Sequence, residues 1–342
     1  MSRRKTVLQV GDIANVATDL SDALRHHSNW DPVQVDVATV RRRSRASRLA
    51  DLPIRARRTR AAVRTAIRQC RPDIVHLHWA RYAPFIGTAG VPLVVHVHGS
   101  DVRNQADKLT GRLVHRSMSQ AGATLVSTPD LMTDTPAGSR YLPNPIDVGL
   151  FSPGDPDGGV RPPSASPNDP ARSPVVLIFA RLRPIKGARS LLASAAAIRA
   201  IDPGATVLAL GGGELDDDAA DAGVQLLPAR HRLDLPGLLR SVDVVMGQQR
   251  LGILSLSELE AMACGCPVIM PLRRELYGAD APTIDAVEPR DVAERCLELA
   301  ADAARRQAIG AASRDYVIRN HEPAAVARQL VDVYEGLLAT RS

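Results

Sequence analysis

The sequence predicts an α/β protein of two Rossmann-like domains facing across a cleft, and three observations carry that prediction. Short β-branched runs alternate with longer amphipathic runs in both halves of the chain, the pattern that winds a parallel sheet through right-handed crossovers. The chain has 342 residues, beyond the ~250–300 at which a single core stops growing. Between the halves lies SPGDPDGGVRPPSASPNDPARSP, too poor in apolar residues to form a core element.

In order, residues 6–10 (TVLQV) read as a strand ending at Gly11, and residues 19–26 (DLSDALRH) as part of the next helix. Residues 33–37 form a second expected strand, and 47–69 a long helix. Residues 73–77 (DIVHL), 93–97 (LVVHV) and 123–127 are further strands, with helix expected over 108–119. In the second half, strands are expected at 175–180 (VVLIFA), 206–210 (TVLAL), 225–227, 242–246 (VDVVM) and 267–270. Helices are expected at 189–200, 235–240, 256–263, 286–304 and 323–338, by the change from period 2 to period 3.6. The expected division is residues 1–150, a linker or loop over 151–174, a second domain over 175–320, and a final helix within 321–342.

Composition narrows the function classes. Aromatics are 3% of the chain, which argues against a module that stacks many bases on aromatic platforms. The cysteines Cys70, Cys264, Cys266 and Cys296 have no metal-ligand spacing and read as small buried hydrophobes. The start, MSRRKTVLQV, lacks the apolar core of a secretion signal. No run approaches the ~20 apolar residues of a membrane span, so a cytoplasmic protein is expected. Between Arg41 and Arg71 lie twelve arginines and one acid, Asp51. Two readings fit: a solvated helix face, or a patch drawn to an anionic membrane at its inner face or to an anionic acceptor. Nucleic acid is not expected, since charge is its only support.

Four clusters carry chemistry. Arg181 and Lys186 follow a strand and lie five apart, so one turn can converge a planar fork and a compact cation on a single anion. The run from Gly252 through Ile253, Leu254 and Ser255 starts a helix, whose first amides offer an anion site, and Glu260 lies within two turns of it. A carboxylate there can accept from a ribose diol. His96-Val-His98-Gly99-Ser100-Asp101 ends a strand of the first half as a polar wall, while His76-Leu-His78 reads as packing or loop bonding. Asn144-Pro-Ile-Asp147 and Phe151-Ser-Pro153 form a rigid corner.

Arg181-Leu…Lys186-Gly187, Glu260-Ala-Met-Ala…Gly265-Cys-Pro267-Val and Asn144-Pro-Ile-Asp147…Phe151-Ser-Pro153 resemble the signatures of retaining GT-B glycosyltransferases, in the family 4 or group 1 branch. The resemblance covers nearly the whole chain, most strongly residues 140–270. It implies transfer of a sugar from a nucleotide diphosphate sugar to a small-molecule, lipid or glycan acceptor, without metal or cofactor. Arg181 and Lys186 would hold the donor diphosphate, Glu260 the ribose, and His98 the sugar. Gly11, Asp12 and Gly212 would lie on donor-facing loops, with Asn15, Ser100 and Asp101 on the acceptor side. The final helix would pack back on the first domain. The branch usually has an acid eight residues before the helix glutamate, and that position here is Gly252, with Gln248 and Gln249 as nearby amides. That departure keeps two alternatives open, a sugar-nucleotide-binding partner subunit without transferase activity and a nucleotide-sugar epimerase. A nicotinamide enzyme is disfavoured, because Gly211-Gly212-Gly213-Glu lacks the third glycine of the dinucleotide turn.

Overall fold

The computed structural model describes residues 3–36, 52–103, 108–154, 173–278 and 280–340. It resolves into two compact units, Met1–Pro145 with His321–Ser342, and Ile146–Asn320. Much of the expected 151–174 linker, and the first part of the arginine run, lie outside the described residues.

The first unit carries six parallel strands, β1 (Lys5–Val10), β2 (Trp30–Val35), β3 (Ile74–His78), β4 (Leu93–Val97), β5 (Ala123–Val126) and β6 (Arg140–Tyr141), in the order β2-β1-β3-β4-β5-β6. Helices α1 (Val16–His27), α2 (Leu52–Cys70) and α3 (Lys108–Ser119) connect them. Alternation along the strands sends Leu8, Val10, Val75, Leu77, Val95 and Val97 to one face, where Val63 and Ile67 of α2 and Val114 and Met118 of α3 close the core. β2 starts earlier than the sequence predicts because Asp31 and Pro32 read as breakers. An edge strand tolerates proline, which has no N–H to give the ladder, and the register pairs Lys5 with Trp30.

The second unit carries β7 (Val175–Ile178), β8 (Thr206–Leu210), β9 (Val224–Leu227), β10 (Val244–Met246) and β11 (Val268–Ile269), in the parallel order β11-β10-β7-β8-β9. Both faces are covered, as parallel sheets require. Val176, Ile178, Val207 and Met246 pack against α4 (Ala188–Ile201) and, further along the chain, the helix Pro289–Ala301. Leu177, Leu208 and Val245 pack against α5 (Leu235–Arg240) and α6 (Leu256–Ala263). The remaining helices of this unit are α7 (Arg274–Tyr277), α8 (Pro289–Ala301) and α9 (Ala303–His321). Cys264, Cys266 and Cys296 are buried in these cores, and Cys70 of the first unit is half-buried.

One domain boundary and one helix differ from the sequence reading. Ile146 and Phe151 are fully buried in the second unit's core, with Val148 and Leu150 packed beside them. Arg314 of α9 fixes this corner by donating to the carbonyls of Val148, Phe151 and Ala263, so the division falls before 146 rather than after 150. α9 itself escaped the periodicity test because its buried stripe is Gly310, Ser313, Tyr316 and Val317 rather than a row of Leu and Ile. A side chain at Gly310 would run into the Gly265 backbone. The last helix, α10 (Pro323–Ala339), belongs to the first unit, where Tyr334 is fully buried against Trp30 and α1 packs along it. Among the described residues no helix is long and apolar enough to cross a membrane.

Candidate functional site

In an open parallel sheet, ligands bind beyond the strand C-termini where the strand order reverses. In the second sheet that point lies between β7 and β10. The loop leaving β7 carries Arg181 to Gly187, and the loop leaving β10 carries Gly247 to Ser255. Fully buried Leu182 anchors the first loop, and its carbonyl accepts from Glu214 and Leu215 N–H, each at 2.9 Å. Gly213 is needed there because a Cβ would come within 2.6 Å of the Leu182 oxygen. Gly187 takes φ +78° and lets the chain enter α4; a Cβ on it would meet the Gln249 backbone at 3.0 Å.

The two loops are tied at Lys186. Its carbonyl accepts from Gln249 N–H at 2.9 Å, and its ammonium donates to Ser255 Oγ at 3.2 Å. Ser255 is the N-cap of α6, and Glu258 completes a capping box by accepting from Ser255 N–H at 3.0 Å and from its hydroxyl. The other Glu258 oxygen accepts from Gln248 N–H at 2.9 Å. Arg181 is exposed at the end of β7, with no ion pair or hydrogen bond to its side chain among the described residues.

The sequence predicts open amides from Gly252 to Ser255, and in the structure the last two of those four are taken. Leu254 N–H donates to the Tyr277 hydroxyl at 3.1 Å and Ser255 N–H is held by Glu258. Ile253 and Leu254 are buried. Among the described residues, the N–H groups without an acceptor at this helix start include those of Leu256 and Ser257. Gly252 takes φ +66°, its carbonyl accepts from Arg273 N–H at 2.9 Å, and a Cβ would lie 2.6 Å from Arg273 Cγ. The acid usual at this position would therefore not fit the backbone seen here.

Other expected contacts are also occupied. Gln248 is fully buried and braces its own loop, accepting from Arg250 and Leu251 N–H and donating to the Ile253 carbonyl. Gln249 donates to the Gly247 carbonyl at 3.2 Å. The Gly212 amide, expected to face the donor, donates at 2.7 Å to Asp216, whose carboxylate fills the anion position of that turn. Glu260 accepts from Arg232 Nε at 3.1 Å, and the Arg232 guanidinium lies 5.4 Å from the Phe151 ring centre. Sequence reasoning missed Arg232, which is 28 residues from Glu260 with no local spacing rule to join them. The capping box was legible in the Ser255-x-x-Glu258 spacing.

In the first sheet the order reverses between β1 and β3. Gly11 ends β1 at φ +78° and donates to the Val35 carbonyl. Asp12, expected to face the donor, has both oxygens on α1: one accepts from Ala17 N–H at 2.9 Å, the other from the Thr18 hydroxyl at 2.7 Å. It serves as the helix cap, since Asn15, exposed at φ +65°, makes no side-chain cap bond. Asp101, expected on the acceptor side, is fully buried and accepts from Ala80 N–H and His98 N–H, tying the loops after β3 and β4 together. Burial pushes its carboxyl above the usual range. Ser100 is exposed. The His98 ring is half-buried, with Nε2 3.1 Å from His78 Nδ1, and desolvation lowers its pKa to about 3.

A family model described as glycosyl transferases group 1 matches residues 173–302, and one described as a glycosyl transferase 4-like domain matches residues 12–148. A D-inositol 3-phosphate glycosyltransferase of Salinispora tropica is 30% identical over 195 residues, 50% of this chain and 40% of that protein. A GDP-mannose-dependent alpha-(1-6)-phosphatidylinositol monomannoside mannosyltransferase of Mycobacterium tuberculosis is 30% identical over 60% of this chain and 58% of its own length. The chain thus spans about half the length of these curated relatives. Anabaena HepE, solved with UDP and glucose, has a similar fold at TM-score 0.71 and 16% identity, covering 96% of this chain and 99% of that one. With both family models matched in order on two parallel sheets, the chain belongs to the group 1, GT4-like glycosyltransferases of the GT-B fold class.

Proposed function

We propose that the chain transfers a sugar from a nucleotide diphosphate sugar to an acceptor hydroxyl with retention of configuration. The observation that carries this reading is the bond from Lys186 Nζ to the N-cap Ser255 at the β7/β10 switch point. A cation and a helix start held together there form a diphosphate site, and Arg181 adds a second cation on the same loop. The Leu256 and Ser257 amides are the backbone donors of that site. Glu260, steadied by Arg232, is the proposed ribose ligand.

In the proposed step the bond between the sugar's anomeric carbon and the diphosphate oxygen breaks, and a bond from that carbon to the acceptor oxygen forms on the same face. The acceptor's proton passes to the departing phosphate. The chain's main catalytic contribution is electrostatic stabilisation of that leaving group. On the first unit, His98 is proposed as a sugar contact, with Asn15 and Ser100 on the acceptor side. The names of the curated relatives favour a phosphorylated inositol or its lipid as acceptor. An anionic acceptor or membrane surface also suits α2, on which Arg57, Arg58, Arg60, Arg64 and Arg68 are exposed.

The test is incubation of the protein with UDP- and GDP-sugars, with and without inositol phosphate or phosphatidylinositol, followed by product analysis and anomeric assignment by NMR. A glycosylated acceptor of the donor's anomeric configuration is the expected result, and an inverted product would refute the mechanism. The glycine at 252 favours a second reading, a sugar-nucleotide-binding subunit without transfer. Donor binding with no product across the acceptor panel would select it.

A further inference from the structure

We propose that His76, His78 and His96 form a binding site for one divalent transition-metal ion of zinc's kind inside the first unit. Period-2 alternation puts His76 and His78 on one face of β3, and the register pairs His78 with His96 of β4. Gln9 of β1 stands opposite His76 on that same face. The opposite face of these strands is Leu and Val throughout the core. Here three fully buried imidazoles stack instead, with ring centres 4.4 to 5.4 Å apart.

Buried polar groups are normally paired, and each exception calls for an explanation. Both ring nitrogens of His96 are buried without a partner, and so is His76 Nε2. The other nitrogens are held as metal-bound histidines are, by a hydrogen bond on the far side of the ring. His76 Nδ1 lies 2.6 Å from the Tyr334 hydroxyl, and His78 Nε2 lies 2.7 Å from Gln9 Oε1. With those nitrogens donating, His76 Nε2 and His78 Nδ1 keep free lone pairs, and His78 Nδ1 lies 3.1 Å from His98 Nε2. One nitrogen from each of the three residues lies within 4.8 Å of the others. Small ring shifts bring them to the zinc–imidazole distance of about 2.0–2.1 Å.

The donor set selects the ion. Neutral imidazoles suit zinc, copper, nickel and iron, whereas magnesium and calcium want oxygen. Metal on His78 Nδ1 would replace its contact with His98 Nε2, and leaves a fourth position for water. The ion would join β3 and β4 and, through Tyr334, the last helix α10. This assignment stands apart from the transferase reading, and it would give His76 and His78 a role beyond the packing or loop bonding expected of them.

The test uses the full chain produced without a polyhistidine tag, equilibrated with zinc chloride and then desalted. Elemental analysis should find about one zinc per chain, zinc should raise the melting temperature, and magnesium should leave it unchanged. Cobalt loading should give the visible absorption of a four-coordinate nitrogen site. His96→Ala and His76→Ala should each lose the metal, while His27→Ala, on an exposed helix position, should keep it. Wild-type protein that retains no more zinc than a metal-free control protein overturns the proposal, and that result needs no variant to fold. Zinc retained equally by His96→Ala and His76→Ala overturns it as well.

Discussion

The ammonium of Lys186 lies 3.2 Å from Ser255 Oγ, so the loop after β7 touches the N-cap of the helix after β10. One short contact joins the two strand ends that flank the order reversal, and the charge sits where helix amides point. Lys186→Ala should therefore lower kcat about 10²–10³-fold, the usual effect of losing one charge-stabilising donor. Because Lys186 is only half-buried, its melting temperature should stay near that of wild type. Steady-state kinetics beside a thermal melt checks both, and an unchanged kcat would remove Lys186 from the mechanism.

Gly252 offers a second test, through backbone rather than charge. At φ +66°, with Arg273 Cγ in the way of a Cβ, Gly252→Ala should cost about 1–3 kcal/mol of stability. Arg273→Ala should recover part of that loss and leave the φ penalty. Urea unfolding of the two single variants and the double variant measures the coupling. Full additivity would show that Arg273 is not the obstacle.

The strands were legible because parallel strands buried on both faces read as continuous Val, Ile and Leu, as in residues 175–178. The order of motifs located the switch-point loops for the same reason. What the sequence left open was which polar atoms are already taken. Asp12 and Gly212 stand at strand ends where a ligand is expected, yet Thr18 and Asp216 satisfy them from six and four residues away. Those choices depend on loop dihedrals that periodicity does not report. Arg232 meets Glu260 only through tertiary packing. The histidine stack needed the β3–β4 register, which pairs residues 18 apart.

Arg232→Ala should affect nucleotide affinity and stability together. It removes the 3.1 Å donor that Arg232 gives the buried Glu260 carboxylate, and weakening a largely buried charge pair costs stability. Arg232→Lys keeps the charge but loses the planar fork and should recover part of the stability. Donor KM should rise more than kcat falls. A change in kcat alone would argue against a ribose role for Glu260.

The exposed arginines of α2 predict salt-sensitive attraction to anionic vesicles. Each basic residue near such a surface contributes about 1 kcal/mol at low salt, and the effect fades as the Debye length shrinks to about 8 Å near 0.15 M. Replacing Arg57, Arg60 and Arg64 by Gln should release the protein from phosphatidylserine vesicles in a sedimentation assay and leave its melt unchanged. No sedimentation with the phosphatidylserine vesicles would point to a solvated face instead.

His321 gives the pH prediction, at the residue where the chain re-enters the first unit. Its ring is buried, and Nδ1 lies 2.9 Å from the Asn144 carbonyl. Burial lowers its pKa from 6.5 to about 4, and the carbonyl opposes that shift without cancelling it. Between those two values the unfolded chain binds the proton and the folded one does not, so stability falls as pH drops. The contribution is complete above about pH 6.5 and is lost on the way down to about pH 4, on the order of 3 kcal/mol in all. The buried histidines of the β3–β4 stack are depressed in the same direction, so a His321 variant isolates its share. His321→Gln keeps a donor for Asn144 and has nothing to protonate. Urea midpoints at pH 7.5 and pH 5 should converge less in wild type than in the variant, whose pH slope should be shallower, and equal slopes would mean that His321 takes up no proton on unfolding.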